Sequence, residues 1–404
     1  MRILIVANTY PNGSETFIRA HIEGLVRRGH DVTVCAKRAD PDYVGEPIPG
    51  LAPPVYYAAR SRSQAAFNTL MVCAASLLTR PARLATALGY LARNRDFAAL
   101  QALSILPKLK GRAFDLVHCE FGPVGNVGLQ LRDAGLVSGP VVTSFRGADI
   151  SSYLRRKPHV YDALTRKGDL FLPVCAPFAE RLAELDFPPE RIRVYHSAID
   201  IDRIAFEERV DAPSGKITLL GVGRFVEKKG FRYAIEVLSI LKGEFPRLEL
   251  RLVGDGPLRK ELRAQADSLG VGDSVRMTGW LDHDAVLREL RGARVFLGTS
   301  VEAGSGDVEG IPNVIKEAMA SGLPVVAFAH SGVPDLVRDG QTGFLAQERD
   351  SRTMADRVRA ILSGKAGDTV RNARREIEEA WSTDGQAAEI EKIYEGAIKH
   401  GIQS

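Results

Sequence analysis

The stretch Glu309-Gly310-Ile311-Pro312-Asn313-Val314-Ile315-Lys316-Glu317-Ala318-Met319-Ala320-Ser321-Gly322-Leu323-Pro324-Val325-Val326 reads as a loop, a helix and a buried strand in succession. Pro312 suits a helix's first turn, where its missing N–H is not needed and its φ is already helical. Gly322 suits the exit, and Pro324-Val325 leads into the next strand. Glu309 then sits on the loop before the helix and Glu317 inside it. The first N–H groups of that helix, near Asn313 and Val314, lack intrahelical partners and attract a phosphate or sugar oxygen. Two carboxylates bracketing this end can accept hydrogen bonds from hydroxyls on either side of a diphosphate.

Outward from this stretch, strands and helices alternate. Toward the N-terminus lie strand signals at Ile217–Leu220, Leu248–Val253, Val275–Met277 and Val295–Leu297, with helical spacing over 231–245 and 257–269. The same alternation occupies the first half. Met1–Ala7 reads as a buried strand; Phe17, Ile18, Ile22, Leu25 and Val26 recur at helical spacing; Gly29 closes that helix, and Val32–Cys35 starts another strand. Short apolar runs follow at 116–118, 141–143, 170–172 and 192–194, with a helix predicted over 177–185. The pattern predicts an α/β fold of two Rossmann-like domains, each a parallel sheet covered by helices. Polar Asp202–Gly215 separates the halves, so the boundaries fall at 1–200, 201–382 and a last helix in 383–404 that carries Ala387, Ile390, Tyr394, Ala397 and Ile398 on one stripe. This helix is expected to pack back on the N-terminal domain. Two such domains facing each other leave a cleft at the carboxyl ends of their strands, where open α/β sheets bind ligands.

Composition narrows the function classes. The 404 residues are 45% hydrophobic and 26% charged, which excludes disorder and collagen-like sequence, and a net charge of +4 is too small for a dedicated nucleic-acid binder. The four cysteines, Cys35, Cys73, Cys119 and Cys175, form no CxxC pair, and this fits a reducing cytoplasm. The eight histidines show no metal-ligand spacing, and Asp200-Ile201-Asp202 lies at the domain boundary, so no metal and no cofactor is expected.

A second constellation, Gly223-Arg224-Phe225-Val226-Glu227-Lys228-Lys229-Gly230, follows the strand ending at Leu220. Arg and Lys on a strand-to-helix loop offer a forked guanidinium and a point ammonium to a diphosphate. A dinucleotide fingerprint is excluded, because Val226 occupies its third glycine position.

With these motifs together, the chain resembles the retaining glycosyltransferases of the GT-B fold, family four (group 1). The resemblance rests on the G-R-x-x-x-K-K-G loop, Val253-Gly254-Asp255-Gly256-Pro257, Thr278-Gly279-Trp280-Leu281, the pair Glu309 and Glu317, and Asp335-Leu336-Val337 with Asp339-Gly340 and Gly343-Phe344. Pro11-Asn12-Gly13-Ser14-Glu15-Thr16-Phe17-Ile18 and Gly304–Pro312 look most like the exopolysaccharide and colanic-acid branch. The resemblance implies transfer of a sugar from a nucleotide-sugar donor to a saccharide or polyprenyl-linked acceptor. It places Arg224 and Lys229 on the diphosphate, with Gly223 in the same loop, Glu317 on the ribose, Glu309 on the transferred sugar, and the backbone of Ile311, Pro312, Asn313 and Val314 on sugar and phosphate oxygens. Trp280 and Leu281 would flank the base, and Gly13 would let backbone approach the phosphates. Arg224, Lys229 and Glu309 are the expected catalytic residues.

The sequence departs from the family at Arg146 and Glu120, where relatives often carry histidine; Arg146 and Asp149 are expected near the donor sugar, and Glu120 is placed to pair with Arg146. The competing readings are a GT-B epimerase or phosphorylase and a non-catalytic sugar-binding protein. The pair Glu309 and Glu317 disfavours the epimerase, the chain length the phosphorylase, and the Arg-Lys loop the binding protein. Between Leu51 and Arg112 the basic residues Arg60, Arg62, Arg80, Arg83, Arg93, Arg95, Lys108, Lys110 and Arg112 face a single acid, Asp96, among apolar stretches. Two readings stay open, docking on an anionic membrane surface at the inner face of the membrane without a spanning segment, or a pair of packed helices with a solvated basic face.

Overall fold

The computed structural model describes residues 1–13, 15–41, 43, 45–51, 55–58, 61, 63, 109, 113–133, 137–209 and 215–401. The chain divides into two compact units, the first formed by Met1–Val174, Ala179–His196 and Gln386–Ser404, the second by Cys175–Phe178 and Ser197–Gly385. The expected divisions at 200 and 382 thus fall a few residues from the observed ones, and Cys175–Phe178, read as part of the N-terminal domain, belongs with the second unit.

In the first unit the strands are β1 (Arg2–Thr9), β2 (Asp31–Arg38), β3 (Tyr56–Tyr57), β4 (Leu116–Glu120), β5 (Val141–Phe145) and β6 (Leu170–Pro173). They pair in parallel in the order β3-β2-β1-β4-β5-β6. All five residues of β4 and of β5 are buried, as expected for strands covered on both faces. The helix Thr16–Arg27 buries Ile18, Ile22 and Leu25 against Ile3, Ile5, Val32 and Val34. Gly29, at φ +81°, turns the chain out of that helix. The last helix, Thr383–Gly401, places Ile390 and Tyr394 in this same core, with Ala397 and Ile398 beside them. The strand expected at 192–194 is reduced to a single bridge between Phe171 and Ile192.

The second unit repeats the plan with β7 (Ile217–Val222), β8 (Leu248–Val253), β9 (Val275–Met277), β10 (Val295–Gly298), β11 (Val325–Phe328) and β12 (Phe344–Ala346), ordered β12-β11-β10-β7-β8-β9. Every pair is parallel. The helix Phe231–Leu241 buries Phe231, Ala234, Ile235, Val237, Leu238 and Leu241, and Leu219, Leu250 and Leu252 belong to the same core.

In each sheet the order reverses beside the first strand, between β1 and β4 and between β7 and β10. Loops leaving the carboxyl ends of those strands diverge there, which makes these two points the places where an α/β sheet takes ligands. The basic residues from Arg60 to Arg112, on which docking to an anionic membrane is expected, lie outside the described residues. Among the described residues no helix is long and apolar enough to cross a membrane.

Candidate functional site

In the second unit two loops meet at the strand reversal. The chain after β7, from Gly223 to Gly230, runs beside the chain after β10, from Thr299 to Pro312. Backbone bonds set the register: the Val301 N–H donates to the Lys228 carbonyl at 2.9 Å, and the Thr299 hydroxyl donates to the Lys229 carbonyl at 2.8 Å. Three consecutive side chains then reach across. Glu227 accepts the Gly304 N–H at 2.9 Å, Lys228 pairs with Asp307 at 3.1 Å, and Lys229 Nζ donates to Glu309 Oε1 at 2.7 Å. Gly230 makes this approach possible. It is left-handed (φ +60°), and a Cβ there would lie 1.9 Å from the Thr299 carbonyl oxygen.

Burial works against the charge on Glu309, yet the ammonium groups of Lys229 and Lys228 outweigh it and hold its pKa below the ordinary carboxylate value. His330 adds to that positive field. Its Nδ1 is 2.7 Å from Glu348 Oε2, and Glu348 also accepts the Glu302 N–H at 3.1 Å, anchoring the start of the same loop. Arg224 is exposed beside Gly223 and makes no ion pair among the described residues.

The helix beyond this loop spans Asn313–Ala320. Pro312, expected in its first turn, precedes it as the N-cap (φ −61°, ψ 124°), so Asn313 is the first helical residue. Gly322 closes the helix at φ +79°. Ile311 packs against the apolar core behind the sheet, as do Val314 and Leu281. Glu317, expected to offer its carboxylate to a ribose, is buried, and its Oε1 lies 3.0 Å from His283 Nε2. That hydrogen bond, against the opposing effect of burial, raises the pKa of His283. His283 opens the helix His283–Gly292, capped by Asp282, which accepts the Ala285 N–H at 2.7 Å. Just before this cap stands Trp280, 65% exposed, the most exposed large hydrophobic side chain among the described residues.

The strand reversal of the first unit carries a different cluster. Glu120, at the end of β4, is fully buried and accepts from Arg146 Nε at 2.9 Å and Nη2 at 2.6 Å on one oxygen, while its other oxygen lies 2.9 Å from His21 Nδ1. The Arg146 guanidinium lies 4.3 Å from the centre of the Phe17 ring. Burial is the largest single effect and opposes the charge on Glu120, but Arg146 together with His118 and His21 outweighs it and keeps the pKa well below the usual range. Nearby Glu15 goes the other way. Burial, then the Glu120 charge, push it up to about 7, opposed by its hydrogen bond with Asn12 and by Arg146. His21, His118 and Glu120 present ligand atoms within 4.8 Å of one another. Every ring nitrogen of both histidines is already within hydrogen-bond distance of a protein group, and Arg146 holds the carboxylate, so the donor set suits a hydrogen-bonded network better than a cation.

Asp149, expected near the donor sugar, is occupied otherwise. Its carboxylate is buried and accepts the backbone N–H groups of Gly122 (3.0 Å), Arg146 (3.0 Å) and Gly147 (2.8 Å), so it ties the ends of β4 and β5 together. Gly13 is exposed, and a Cβ there would meet only Tyr43, at 4.0 Å. The second unit therefore gathers Gly223, Arg224, Lys229, Glu309 and the helix start at Asn313, while Arg146 and Asp149 belong to the first unit's own crest. Sequence reading missed His283, His330 and His21. His283 had one usable signal, its place three residues after Trp280; the other two acquire partners only through tertiary packing.

Residues 11–203 match the family described as Glycosyltransferase Family 4, and residues 202–380 match Glycosyl transferases group 1. The chain is 33% identical over 367 residues, 89% of its own length and 90% of the relative's, to a protein of Salmonella typhimurium named as a colanic acid biosynthesis glycosyltransferase, WcaL. It is 29% identical to the amylovoran biosynthesis glycosyltransferase AmsK of Erwinia amylovora, covering 91% of this chain and 92% of that one. Among solved structures, HepE of Anabaena in complex with UDP superposes with a TM-score of 0.69 at 17% identity, over 98% of this chain and all of that one (100%). That likeness is one of fold.

Proposed function

The chain belongs to the group 1 glycosyltransferases with a family 4 N-terminal domain, and we propose that it moves a sugar from a nucleotide-sugar donor to a saccharide or lipid-linked acceptor, with retention at the anomeric carbon, in the assembly of a cell-surface polysaccharide. The observation that carries this reading is the ion pair of Lys229 with Glu309, held by interlocked loops just before the start of the helix Asn313–Ala320. A cation, a carboxylate and unpaired helix N–H groups in one place suit a sugar diphosphate: the cation and N–H groups take the phosphates, and the carboxylate takes sugar hydroxyls. The WcaL and AmsK names and the UDP complex of HepE support the substrate class.

On this reading the donor diphosphate recruits Arg224 and Lys229, Trp280 and Leu281 flank the base, and Glu317 exchanges its bond with His283 for the ribose. The bond between the anomeric carbon and the phosphate oxygen breaks with its electron pair going to phosphate. The acceptor oxygen bonds to that carbon from the same face, and its proton passes to the departing phosphate. Charge grows on the diphosphate, so Arg224, Lys229 and the helix start lower the barrier electrostatically. The protein's own groups supply the chemistry of this step without a cofactor or metal. The basic stretch from Arg60 to Arg112 would bring the enzyme to an anionic cytoplasmic membrane face, where a polyprenyl-linked acceptor is found; co-sedimentation with anionic but not neutral liposomes, weakened by salt, tests this.

The deciding experiment is a thermal-shift and turnover screen of UDP-, GDP- and ADP-sugars. One donor class should raise the melting temperature and be consumed with release of its nucleoside diphosphate. Binding without consumption in the presence of saccharide acceptors would favour a sugar-binding protein. Conversion of the sugar without release of nucleotide would favour an epimerase.

A further inference from the structure

Five polar side chains lie end to end inside the first unit, from the two strands β4 and β5 and two helices. Ser144 Oγ is 2.8 Å from His118 Nε2; His118 Nδ1 bonds the Tyr394 hydroxyl; Tyr394 Oη is 3.1 Å from His21 Nε2; and His21 Nδ1 is 2.9 Å from Glu120 Oε1. All five are buried. Burial drives the pKa of His118 down to about 3, so it carries one ring proton at neutral pH, and burial keeps the Tyr394 hydroxyl protonated. A carboxylate only accepts, so His21 Nδ1 must donate to Glu120. A chain that runs in one direction from that bond has Tyr394 donating to His21 Nε2, His118 Nδ1 donating to Tyr394, and Ser144 donating to His118 Nε2.

We propose that Ser144, His118, Tyr394 and His21 form a one-directional hydrogen-bond chain that orients Glu120 and, through it, the Arg146 guanidinium, which makes Tyr394 of the last helix a positioning residue for sugar transfer. The inference rests on the reading of Arg146 as a donor-sugar contact. The geometry explains why the chain ends where it does. Glu120 gives one oxygen to His21 and the other to Arg146, so a rotation that improved one bond would break the other. Arg146 is further fixed by the Phe17 ring and by its own backbone N–H on Asp149. Bonds that share a donor direction polarise one another, so the loss of a middle member weakens both sides. Tyr394 is that middle member. The charged and titratable groups facing Glu120 and Arg146 are His21 from the helix Thr16–Arg27, Glu15 just before it, and His118 from β4; Tyr394 and Tyr195 also border them.

The test uses the full chain and donor hydrolysis, followed as nucleoside diphosphate release from UDP-glucose, UDP-galactose, GDP-mannose and ADP-glucose. Tyr394→Phe should lower kcat about tenfold with little change in the Kd for the nucleoside diphosphate, because that ligand is assigned to the second unit. In an Arg146→Ala background the same substitution should cost nothing further. Ser144→Ala, at the far end of the chain, should give a smaller loss in the same direction, and it serves if Tyr394→Phe does not fold. Nitrogen-15 NMR of the imidazoles in the wild-type protein should place the single His118 proton on Nδ1. Wild-type turnover in both variants, losses that add to that of Arg146→Ala, or a His118 proton on Nε2 would overturn the inference. If the wild-type chain releases nucleotide from none of the donors, or Arg146→Ala has full activity, the functional reading of Arg146 fails as well, and the tautomer alone cannot rescue the proposal.

Discussion

Lys229 and Glu309 stand 80 residues apart in the chain and 2.7 Å apart in space. They are the third rung of a ladder whose first two rungs, Glu227 with Gly304 and Lys228 with Asp307, hold the same two loops together. The ladder keeps a cation and a carboxylate in contact where the proposed donor must separate them. A diphosphate can take Lys229 only if the sugar's hydroxyls take Glu309, so the pair rewards a ligand that carries both parts.

Lys229→Ala should therefore harm both ends of the ligand. Removal of one charge-assisted contact costs about 1.5–3 kcal/mol, or roughly tenfold to a hundredfold in kcat/KM. It should also leave a trace without any ligand. The folded-state pKa of Glu309 is depressed, so its contribution to stability is present above its unfolded value of 4.5 and is lost as pH falls through the lower folded value. In Lys229→Ala the folded value rises, and the acid side of the stability profile should shift to higher pH. Urea unfolding between pH 3 and pH 6 measures this; superimposable profiles for the two proteins would show that the pair does not set the charge on Glu309.

The contact between Glu317 and His283 gives a second pH signature, of opposite sign. The folded-state pKa of His283 is raised above 6.5, chiefly by its hydrogen bond to Glu317, so its stabilising contribution is complete below 6.5 and is lost as pH rises through the folded value. Glu317→Gln should bring the His283 titration, followed by NMR, back toward 6.5. Addition of the nucleoside diphosphate that scores in the donor screen should do the same in the wild-type protein, because a ribose on Glu317 competes with His283. An unmoved His283 resonance on saturation with that nucleotide would separate Glu317 from ribose binding.

How far the sequence reached depends on what each feature is made of. β8 and β9 lie where the apolar runs put them, at Leu248–Val253 and Val275–Met277, because their alternation with helical spacing is a local signal. Gly29 and Gly322 were readable for a related reason: a backbone that must turn left-handed at the end of a helix favours glycine whatever surrounds it. Asp149 shows the limit. Its match to a family motif suggested a ligand contact, but three backbone N–H groups from two strand ends converge on it, and no spacing in the sequence announces a carboxylate spent on its own loops. The histidines fail for the same physical reason. His21 and Glu120 are 99 residues apart, His118 and Tyr394 are 276 apart, and only the assembled sheet with the last helix packed into its core brings them together.

Gly230→Ala tests whether the ladder of loops depends on one backbone conformation. The residue is at φ +60°, which costs an L-residue about 1–2 kcal/mol, and its new Cβ would lie 1.9 Å from the carbonyl oxygen of Thr299, a backbone atom that cannot swing aside as a side chain would. The same carbonyl-to-loop approach carries the Thr299 bond to the Lys229 carbonyl, so relief of the clash must pull the loop after β7 away from the loop after β10. A domain of this size loses about 2–4 °C of melting temperature for each kcal/mol. The expected variant melts at least several degrees lower, with Lys229 displaced from Glu309 and donor turnover reduced by at least the tenfold that removal of the lysine itself costs. Gly29→Ala is the control. It is also left-handed, at φ +81°, but no atom lies within 4 Å of the added Cβ, so it pays only the conformational cost and leaves turnover unchanged. Equal losses of turnover in the two variants would mean that global stability, and not the approach of the two loops, limits the reaction.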